Sequence, residues 1–196
     1  MANNQTSSGV PVLVSIQERR QSIMANTPGV FVVEPNPAAM AHPQPIYAIN
    51  SLEEVTLNRA VIDRLALRYS LNPDFVKAIA WIESTHGWYD RFAPHNHTIR
   101  PMNVHDTLWA QLGVDRKTLE SRNLNVAAGA HILAAIWERT LDPNAEKVAT
   151  LYNQLGAIKV NKYGKTVAYY MVHKPWVRSA GAANTFRLQC SACHTR

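Results

Sequence analysis

The stretch NPDFVKAIAWIES, residues 72–84, predicts a buried helix that carries a carboxylate on its apolar face. Asn72 suits the N-cap, and Pro73 suits the first helical position because its missing N–H would have no helical partner there. Apolar residues recur at i, i+3 and i+4 from Val76, and the i+7 position is Glu83. Burial raises the pKa of a carboxyl and makes its ionised form costly unless it is paired. Glu83 is therefore either a general acid or the partner of an Arg in a structural ion pair.

Length and composition predict one globular domain with an appendage. The chain has 196 residues, enough to bury a sizeable core, and 46% of them are hydrophobic. Twenty Lys and Arg against 14 Asp and Glu give a formal net charge of +6, which favours an anionic partner such as nucleic acid, a membrane surface or an acidic wall polymer. The basic residues are scattered, so no nucleic acid partner is expected. No apolar run approaches the roughly 20 residues of a membrane span.

The N-terminal residues carry no recognisable targeting signal. Residues 1–9 are polar and uncharged, and the apolar run 10–16 is short and is followed, not preceded, by Arg19 and Arg20. We therefore expect a protein that is made in the cytoplasm without a signal peptide.

The residue pattern predicts an extended N-terminal arm over 1–50, a mainly α domain over 51–172 and a C-terminal tail over 173–196. Four prolines within residues 35–45 favour an arm that lies over the domain or is partly disordered. Strand signals are almost absent apart from residues 30–33 and the loop predicted at 87–107. Helices are expected at about 51–70, 72–85, 106–112, 116–121, 124–140, 144–155 and 164–172.

Four motifs occur together in the predicted helical domain. They are AIAWIES at 78–84, RPMNV at 100–104, NVAAGAHIL at 125–133 and ATLYNQLG at 149–156. Each is weak alone, but their joint order and spacing are fairly specific. In this order they resemble the lytic transglycosylase and goose-type lysozyme superfamily, over roughly residues 55–172. The resemblance implies a lysozyme-like helical fold with an irregular N-terminal arm.

The resemblance also implies roles for the residues of the first two motifs. Glu83 would be the catalytic acid at the end of a buried helix, followed by Ser84. Met102 and Asn103 would line the cleft, with Asn standing where the family has Gln. We therefore expect Ser84, Met102 and Asn103 to contact the substrate.

The last two motifs would complete the cleft. Tyr152 and Asn153 match a Tyr-Asn pair that reaches the catalytic Glu and the substrate. Asn125 and Gly129 match a helix that packs beneath the cleft. Because Gly is otherwise unfavourable inside a helix, Gly129 predicts a close approach by another helix.

One departure from the family pattern lies just before Met102. The family usually has a Gly-rich turn there, whereas this chain has Thr98-Ile99-Arg100-Pro101, which predicts a stiffer and charged loop. Arg100 either contacts a carboxylate of the peptide stem or the lactyl group of the substrate, or it is a surface residue.

A second carboxylate is the open question in the expected chemistry. Glycoside cleavage usually needs two carboxylates, whereas lytic transglycosylases use one Glu as acid and then as base toward the muramic acid 6-hydroxyl. Goose-type lysozymes recruit a loop Asp to activate water. The candidates here are Asp90 and Asp106, and Asp90 is the better one because it lies just beyond the Glu83 helix. Its alternative is a solvated turn residue.

No metal or other cofactor is expected. Four histidines fall close together, but their spacing fits no named zinc motif; they are His86, His95, His97 and His105. Cys190, Cys193 and His194 form C-x-x-C-H, which formally matches a c-type haem attachment site or a redox pair. A local disulfide or two free thiols fits the surrounding tail better.

Together these features predict a glycosidase that cleaves the β-1,4 bond between N-acetylmuramic acid and N-acetylglucosamine in peptidoglycan. The expected setting is a type VI secretion effector that acts in the periplasm of a rival bacterium and has an immunity protein that blocks its cleft. The alternatives are a phage-type endolysin and a non-catalytic lysozyme-like module that binds glycan or a partner.

Overall fold

The computed structural model of the chain describes residues 18, 19, 21, 23, 31–43, 54–85 and 98–177. Most of these residues are helical, so the mainly α prediction is confirmed. No helix within the described ranges is long and apolar enough to span a membrane. Asp90, both cysteines and the histidines at 86, 95 and 97 lie outside the described residues, as do most of the predicted arm and tail.

Among the residues described from 59 onward, the main elements are α-helices, joined by a short hairpin and a 3-10 helix. The elements in chain order are α1 Arg59–Arg68, α2 Pro73–Thr85, β1 Thr98–Ile99, β2 Val104–His105, the 3-10 helix Ala110–Leu112, α3 Arg116–Glu120, α4 Arg122–Arg139, α5 Ala145–Asn153 and α6 Lys162–His173. The predicted helix boundaries agree with these to within a few residues for α2, α3, α4, α5 and α6.

Helix α2 runs through the centre of the core. It begins as its sequence predicts, since Asn72 Oδ1 accepts a hydrogen bond of 2.8 Å from the Asp74 amide. Every residue from Phe75 to Ser84 is buried, so the helix is covered on all sides and not only along one stripe. Helices α1 and α6 pack against it. Glu83 is therefore carried by the most enclosed helix of the described structure.

One local prediction is wrong. The helix expected at 106–112 is a series of turns that ends in the 3-10 helix, which stops at Gly113 in the left-handed region at φ 76°. The helix expected at 51–70 is formed over 54–57 and 59–68 of the described residues, with only Asn58 between. The Asn58 amide still donates to the Glu54 carbonyl at 3.2 Å, and the Asn58 side chain donates to the same carbonyl at 2.7 Å.

The β-hairpin is short and depends on tertiary contacts. Strands β1 and β2 pair antiparallel, with Ile99 opposite Val104, and residues 100–103 connect them. Asn125 of α4 is fully buried beneath this hairpin. Its Oδ1 accepts from the Met102 amide at 2.9 Å, and its Nδ2 donates to the Ile99 carbonyl at 2.8 Å. One buried side chain thus fixes both ends of the connection.

Residues 31–43 form what we call the N-terminal strap. Of the strand predicted at 30–33, the described residues 31–33 form no continuous strand; Phe31 and Glu34 make isolated parallel bridges instead, to Thr140 and Lys159. Phe31 exchanges backbone hydrogen bonds with both sides of Thr140, and its side chain is buried in the core. This part of the predicted arm therefore lies on the helical domain.

Candidate functional site

The Glu83 carboxyl is the centre of the candidate site. Glu83 lies in the last turn of α2 and is 5% exposed. Its Oε2 accepts a hydrogen bond of 2.8 Å from Asn103 Nδ2, and its Oε1 accepts one of 2.5 Å from the Tyr163 hydroxyl. The two donors come from the hairpin and from α6, 20 and 80 residues away in the sequence. Both oxygens of one buried carboxyl are thus held by neutral donors from separate elements, which fixes the plane of the carboxyl.

Asn103 reaches Glu83 because of its unusual backbone. It occupies the left-handed region at φ 55°, which Asn adopts more readily than most residues. The neighbouring Met102 amide is held by Asn125, so the end of the hairpin loop has little freedom. The geometry therefore brings the predicted cleft residue Asn103 directly onto the predicted acid.

Met102 lies beneath the hairpin. Its side chain is fully buried, so it shapes the site from below. A Cβ added at Gly129 would come within 2.6 Å of the Met102 Cβ, which explains the glycine inside α4. The expectation of a close helix approach at Gly129 is thus corrected: the neighbour is the Met102 side chain of the hairpin loop.

Tyr163 is placed by the start of α6. Asn161 is the N-cap, and its Oδ1 accepts from the Gly164 amide at 3.0 Å and from the Thr150 hydroxyl at 3.2 Å. Gly164 lies directly on α5, where an added Cβ would collide with the Glu146 carbonyl and the Thr150 hydroxyl. The first turn of α6 is therefore locked to α5, and Tyr163 is its second residue.

The Tyr163 phenol stays neutral well into the alkaline range. Burial raises its pKa well above the usual range, and the charge of Glu83, the hydrogen bond to Glu83 and the nearby Tyr152 raise it further. The residue as a whole is half-buried, but its hydroxyl end lies against buried Glu83. Tyr163 therefore keeps its proton and can donate a hydrogen bond to the Glu83 carboxyl. It does not form the phenolate that could act as a base.

The Tyr-Asn pair is arranged differently from the expectation. The Tyr152 hydroxyl donates a 2.7 Å hydrogen bond to the Met102 carbonyl, and its link to Glu83 is electrostatic: burial and then the charge of Glu83 raise its pKa. Asn153 is exposed at the end of α5, and its Oδ1 accepts from Asn161 Nδ2 at 3.5 Å. Tyr152 thus supports the hairpin loop, and Asn153 is open to solvent.

Three further residues considered in the sequence lie on α2 or in and beside the hairpin. Ser84 is 1% exposed, and its Oγ has no hydrogen-bond partner in the described structure. Arg100 is half-buried at the start of the hairpin loop. Asp106, the second candidate for a base, is buried beside the hairpin with its Oδ1 3.8 Å from His105 Nδ1. Within the described ranges, no group of three or more His, Cys, Asp or Glu side chains could hold a metal ion.

Tyr163 is the residue that sequence reasoning missed. The predicted start of the last helix at Gly164 left Tyr163 outside the helix, whereas α6 begins at Lys162. The signal was local: Asn161, three residues before Gly164, is a good N-cap and accepts from the amide of that residue. An N-cap at Asn161 would have placed Tyr163 in the first helical turn.

Comparisons with protein-family models, with curated proteins and with solved structures find no match for this chain.

Proposed function

We propose that the protein is a lysozyme-like glycosidase that cleaves the β-1,4 bond between N-acetylmuramic acid and N-acetylglucosamine in peptidoglycan, with Glu83 as the catalytic acid. The observation that carries the proposal is the pair of hydrogen bonds from Asn103 and Tyr163 to the buried Glu83 carboxyl. The motif order that resembles lytic transglycosylases supports it independently, because it assigns the acid to the same residue.

The environment of Glu83 suits a catalytic acid. Its Oε2 accepts a hydrogen bond from an amide and its Oε1 accepts one from a phenol, and neither of these two donors carries a charge. Neutral donors can stay in place while the carboxyl gains and loses a proton. A general acid that must be reprotonated in every turnover needs such partners.

In the proposed reaction, Glu83 acts twice. Its carboxyl gives a proton to the glycosidic oxygen as the bond from that oxygen to C1 of N-acetylmuramic acid breaks. The resulting carboxylate then accepts the proton of the muramic acid 6-hydroxyl, whose oxygen bonds to C1 and closes a 1,6-anhydro ring. Tyr163 and Asn103 hold the carboxyl through both steps.

Hydrolysis is the alternative outcome of the same first step. A water activated by a loop carboxylate would attack C1, and Asp90 is the residue proposed for that role. Mass spectrometry of the fragments released from purified peptidoglycan separates the two reactions, because a 1,6-anhydro end is lighter than a reducing end by one water. We expect anhydro ends. Reducing ends from the wild type, lost in Asp90→Asn, would assign the hydrolytic route.

A non-catalytic glycan-binding module is the competing function. It would bind purified peptidoglycan in a pull-down assay but release no soluble fragments during long incubation. A glycosidase releases fragments in proportion to enzyme and time. Binding without release by the wild-type protein would favour the module and rule out the proposed enzyme.

We further propose that the protein acts as an antibacterial effector in the periplasm of a target cell, neutralised in the producer by an immunity protein that blocks the cleft. An enzyme that cleaves peptidoglycan has no substrate in the cytoplasm and can lyse a cell only where it reaches the wall. The net charge of +6 also suits an anionic wall. Expression directed to the periplasm should lyse cells, and cytoplasmic expression should not. Equal toxicity in both compartments would contradict the proposal.

A further inference from the structure

The connection between α5 and α6, residues 154–161, is bound by the N-terminal strap. The amide of Glu34 donates to the Ile158 carbonyl at 2.8 Å, and the Val160 amide donates to the Glu34 carbonyl at 2.9 Å. Asn36 Nδ2 adds a hydrogen bond of 3.0 Å to the Val160 carbonyl. Polar groups of this connection are thus satisfied by a segment more than a hundred residues away in the sequence.

Arg19 binds the same connection from a second point. It is 4% exposed, and its Nη1 donates to the carbonyls of Leu155 at 2.8 Å and Ala157 at 3.2 Å. Its guanidinium also lies 5.4 Å from the ring centre of Phe31, the first residue of the strap. Burying a guanidinium is unfavourable, and burial lowers the pKa of Arg19 accordingly. The hydrogen bonds from Arg19 to the two carbonyls offset part of this cost and hold the connection in place.

Residues 154–161 are followed directly by the first turn of α6, which carries Tyr163, the hydrogen-bond donor to Glu83. Tyr163 is the second residue of α6, two positions after the connection ends. The strap also reaches the first turns of that helix, where the His42 amide donates to the Thr166 hydroxyl at 2.8 Å and that hydroxyl donates to the Lys162 carbonyl at 2.7 Å. The strap and Arg19 therefore contact the chain on both sides of Tyr163.

We propose that the N-terminal strap, together with Arg19, is a positioning element for the Tyr163–Glu83 hydrogen bond. Arg19 and Asn36 are then positioning residues: they touch no substrate and act on catalysis through Tyr163. This inference rests on the proposed function of Glu83 as the acid. It assigns to the N-terminal part of the chain a role in the chemistry in addition to its role in stability.

The opposite end of the strap provides a matched control. Phe31 pairs there with Thr140, whose hydroxyl donates to the Ile136 carbonyl at 2.7 Å. Thr140→Val removes that buried hydrogen bond without touching residues 154–161. It should lower the melting temperature and leave the Tyr163–Glu83 contact in place.

The experiment measures kcat and KM on purified peptidoglycan for Arg19→Ala, Arg19→Lys, Asn36→Ala and Thr140→Val, well below each melting temperature. We expect Arg19→Ala to lower kcat about tenfold with little change in KM, because small displacements of a catalytic group are costly. Arg19→Lys should recover most of the loss, since an ammonium can still donate to carbonyls. Asn36→Ala, the variant to use if Arg19→Ala does not fold, should lower kcat about threefold by the same route. An unchanged kcat in Arg19→Ala and Asn36→Ala would overturn the proposal. A fall in kcat of the same size in Thr140→Val would also overturn it.

A second readout does not depend on activity. The ionisation of Tyr163 is followed by the absorbance of tyrosinate near 295 nm during a pH titration. The titration of Tyr163→Phe is subtracted from that of the wild type, and the titration of the double variant Arg19→Ala/Tyr163→Phe is subtracted from that of Arg19→Ala. In Arg19→Ala, Tyr163 should ionise at lower pH than in the wild type, because a displaced phenol is hydrated and farther from Glu83 and Tyr152. An unchanged titration would contradict the positioning role. A wild-type protein that releases no wall fragments would refute the proposed function alone, and this titration would still test the strap.

Discussion

The Tyr163 hydroxyl donates a 2.5 Å hydrogen bond to Oε1 of Glu83 and so joins the first turn of α6 to the last turn of α2. Asn103 occupies the other carboxyl oxygen at 2.8 Å. Three elements that are distant in sequence therefore meet at one buried carboxyl.

Tyr163→Phe should impair catalysis while preserving the fold. The variant keeps the ring and removes only the hydroxyl, leaving Oε1 of Glu83 without this donor. A hydrogen bond to a charged group contributes about 1.5–3 kcal/mol, so kcat should fall roughly 10- to 100-fold. Tyr169→Phe is the control on the same helix, because the Tyr169 ring stacks on exposed His173 away from Glu83. Equal activity of the two variants would show that the Tyr163 contact is not used.

Asn125→Ala should destabilise the hairpin and the site above it. The change leaves the Met102 amide and the Ile99 carbonyl without their buried partner. Each unsatisfied buried group costs about 1–3 kcal/mol, so we expect a loss of roughly 2–4 kcal/mol in the free energy of unfolding, measured by urea denaturation. Asn123→Ala, at an exposed position of the same helix, should change it by less than about 0.5 kcal/mol. Similar losses in both variants would contradict the assigned role.

Gly129→Ala should destabilise the protein although alanine is the better helix former. The new Cβ would lie 2.6 Å from the Met102 Cβ, and overpacking of this kind costs about 1–3 kcal/mol. Met102→Ala removes the Cγ and Cε atoms, which would lie 2.7 and 2.9 Å from the new Cβ, but keeps the Met102 Cβ. The double variant should therefore be relieved only in part, and still be more stable than the sum of the two single changes predicts. A double-mutant cycle by urea denaturation measures this coupling. Additive effects would mean that the two residues do not share the space.

Helix α2, the hairpin and the role of Tyr163 differ in how far the sequence alone predicts them. The start of α2 was predictable because Asn72 and Pro73 are local signals, and the burial of Glu83 followed from its register with the apolar positions. The hairpin was not, since strands of two residues leave no periodic pattern and their register depends on Asn125, which is more than 20 residues away. The local N-cap Asn161 could have placed Tyr163 in the first turn of α6, but the contact of Tyr163 with Glu83 spans 80 residues and has no local signal.

Stability should fall at alkaline pH because of Tyr163 and Tyr152. The pKa of each phenol is raised in the folded state, whereas in the unfolded chain it returns to about 10. Above that pH the folded state retains protons that the unfolded state has lost. The stabilisation is therefore fully present below about pH 10 and is lost as the pH rises through the folded-state values, by up to about 1.4 kcal/mol per pH unit for each tyrosine.

The measurement is urea unfolding between pH 9 and about pH 11 for the wild type and Tyr163→Phe. The variant lacks one of the two phenols, so its free energy of unfolding should decline less steeply above about pH 10. The slopes should differ by up to about 1.4 kcal/mol per pH unit, the contribution of one tyrosine. Tyr169→Phe should follow the wild type. Parallel curves for the wild type and Tyr163→Phe would contradict the buried, Glu83-facing environment assigned to this phenol.

The central claim is that Glu83 is the catalytic acid, and Glu83→Gln tests it most directly. Gln keeps the size of the side chain but cannot give a proton. The rate of fragment release from purified peptidoglycan should fall at least about 100-fold, with the melting temperature little changed. Glu146→Gln removes a carboxylate that pairs with Lys165 at 2.8 Å, and it should retain activity within about twofold. Wild-type release of wall fragments by Glu83→Gln would contradict the claim.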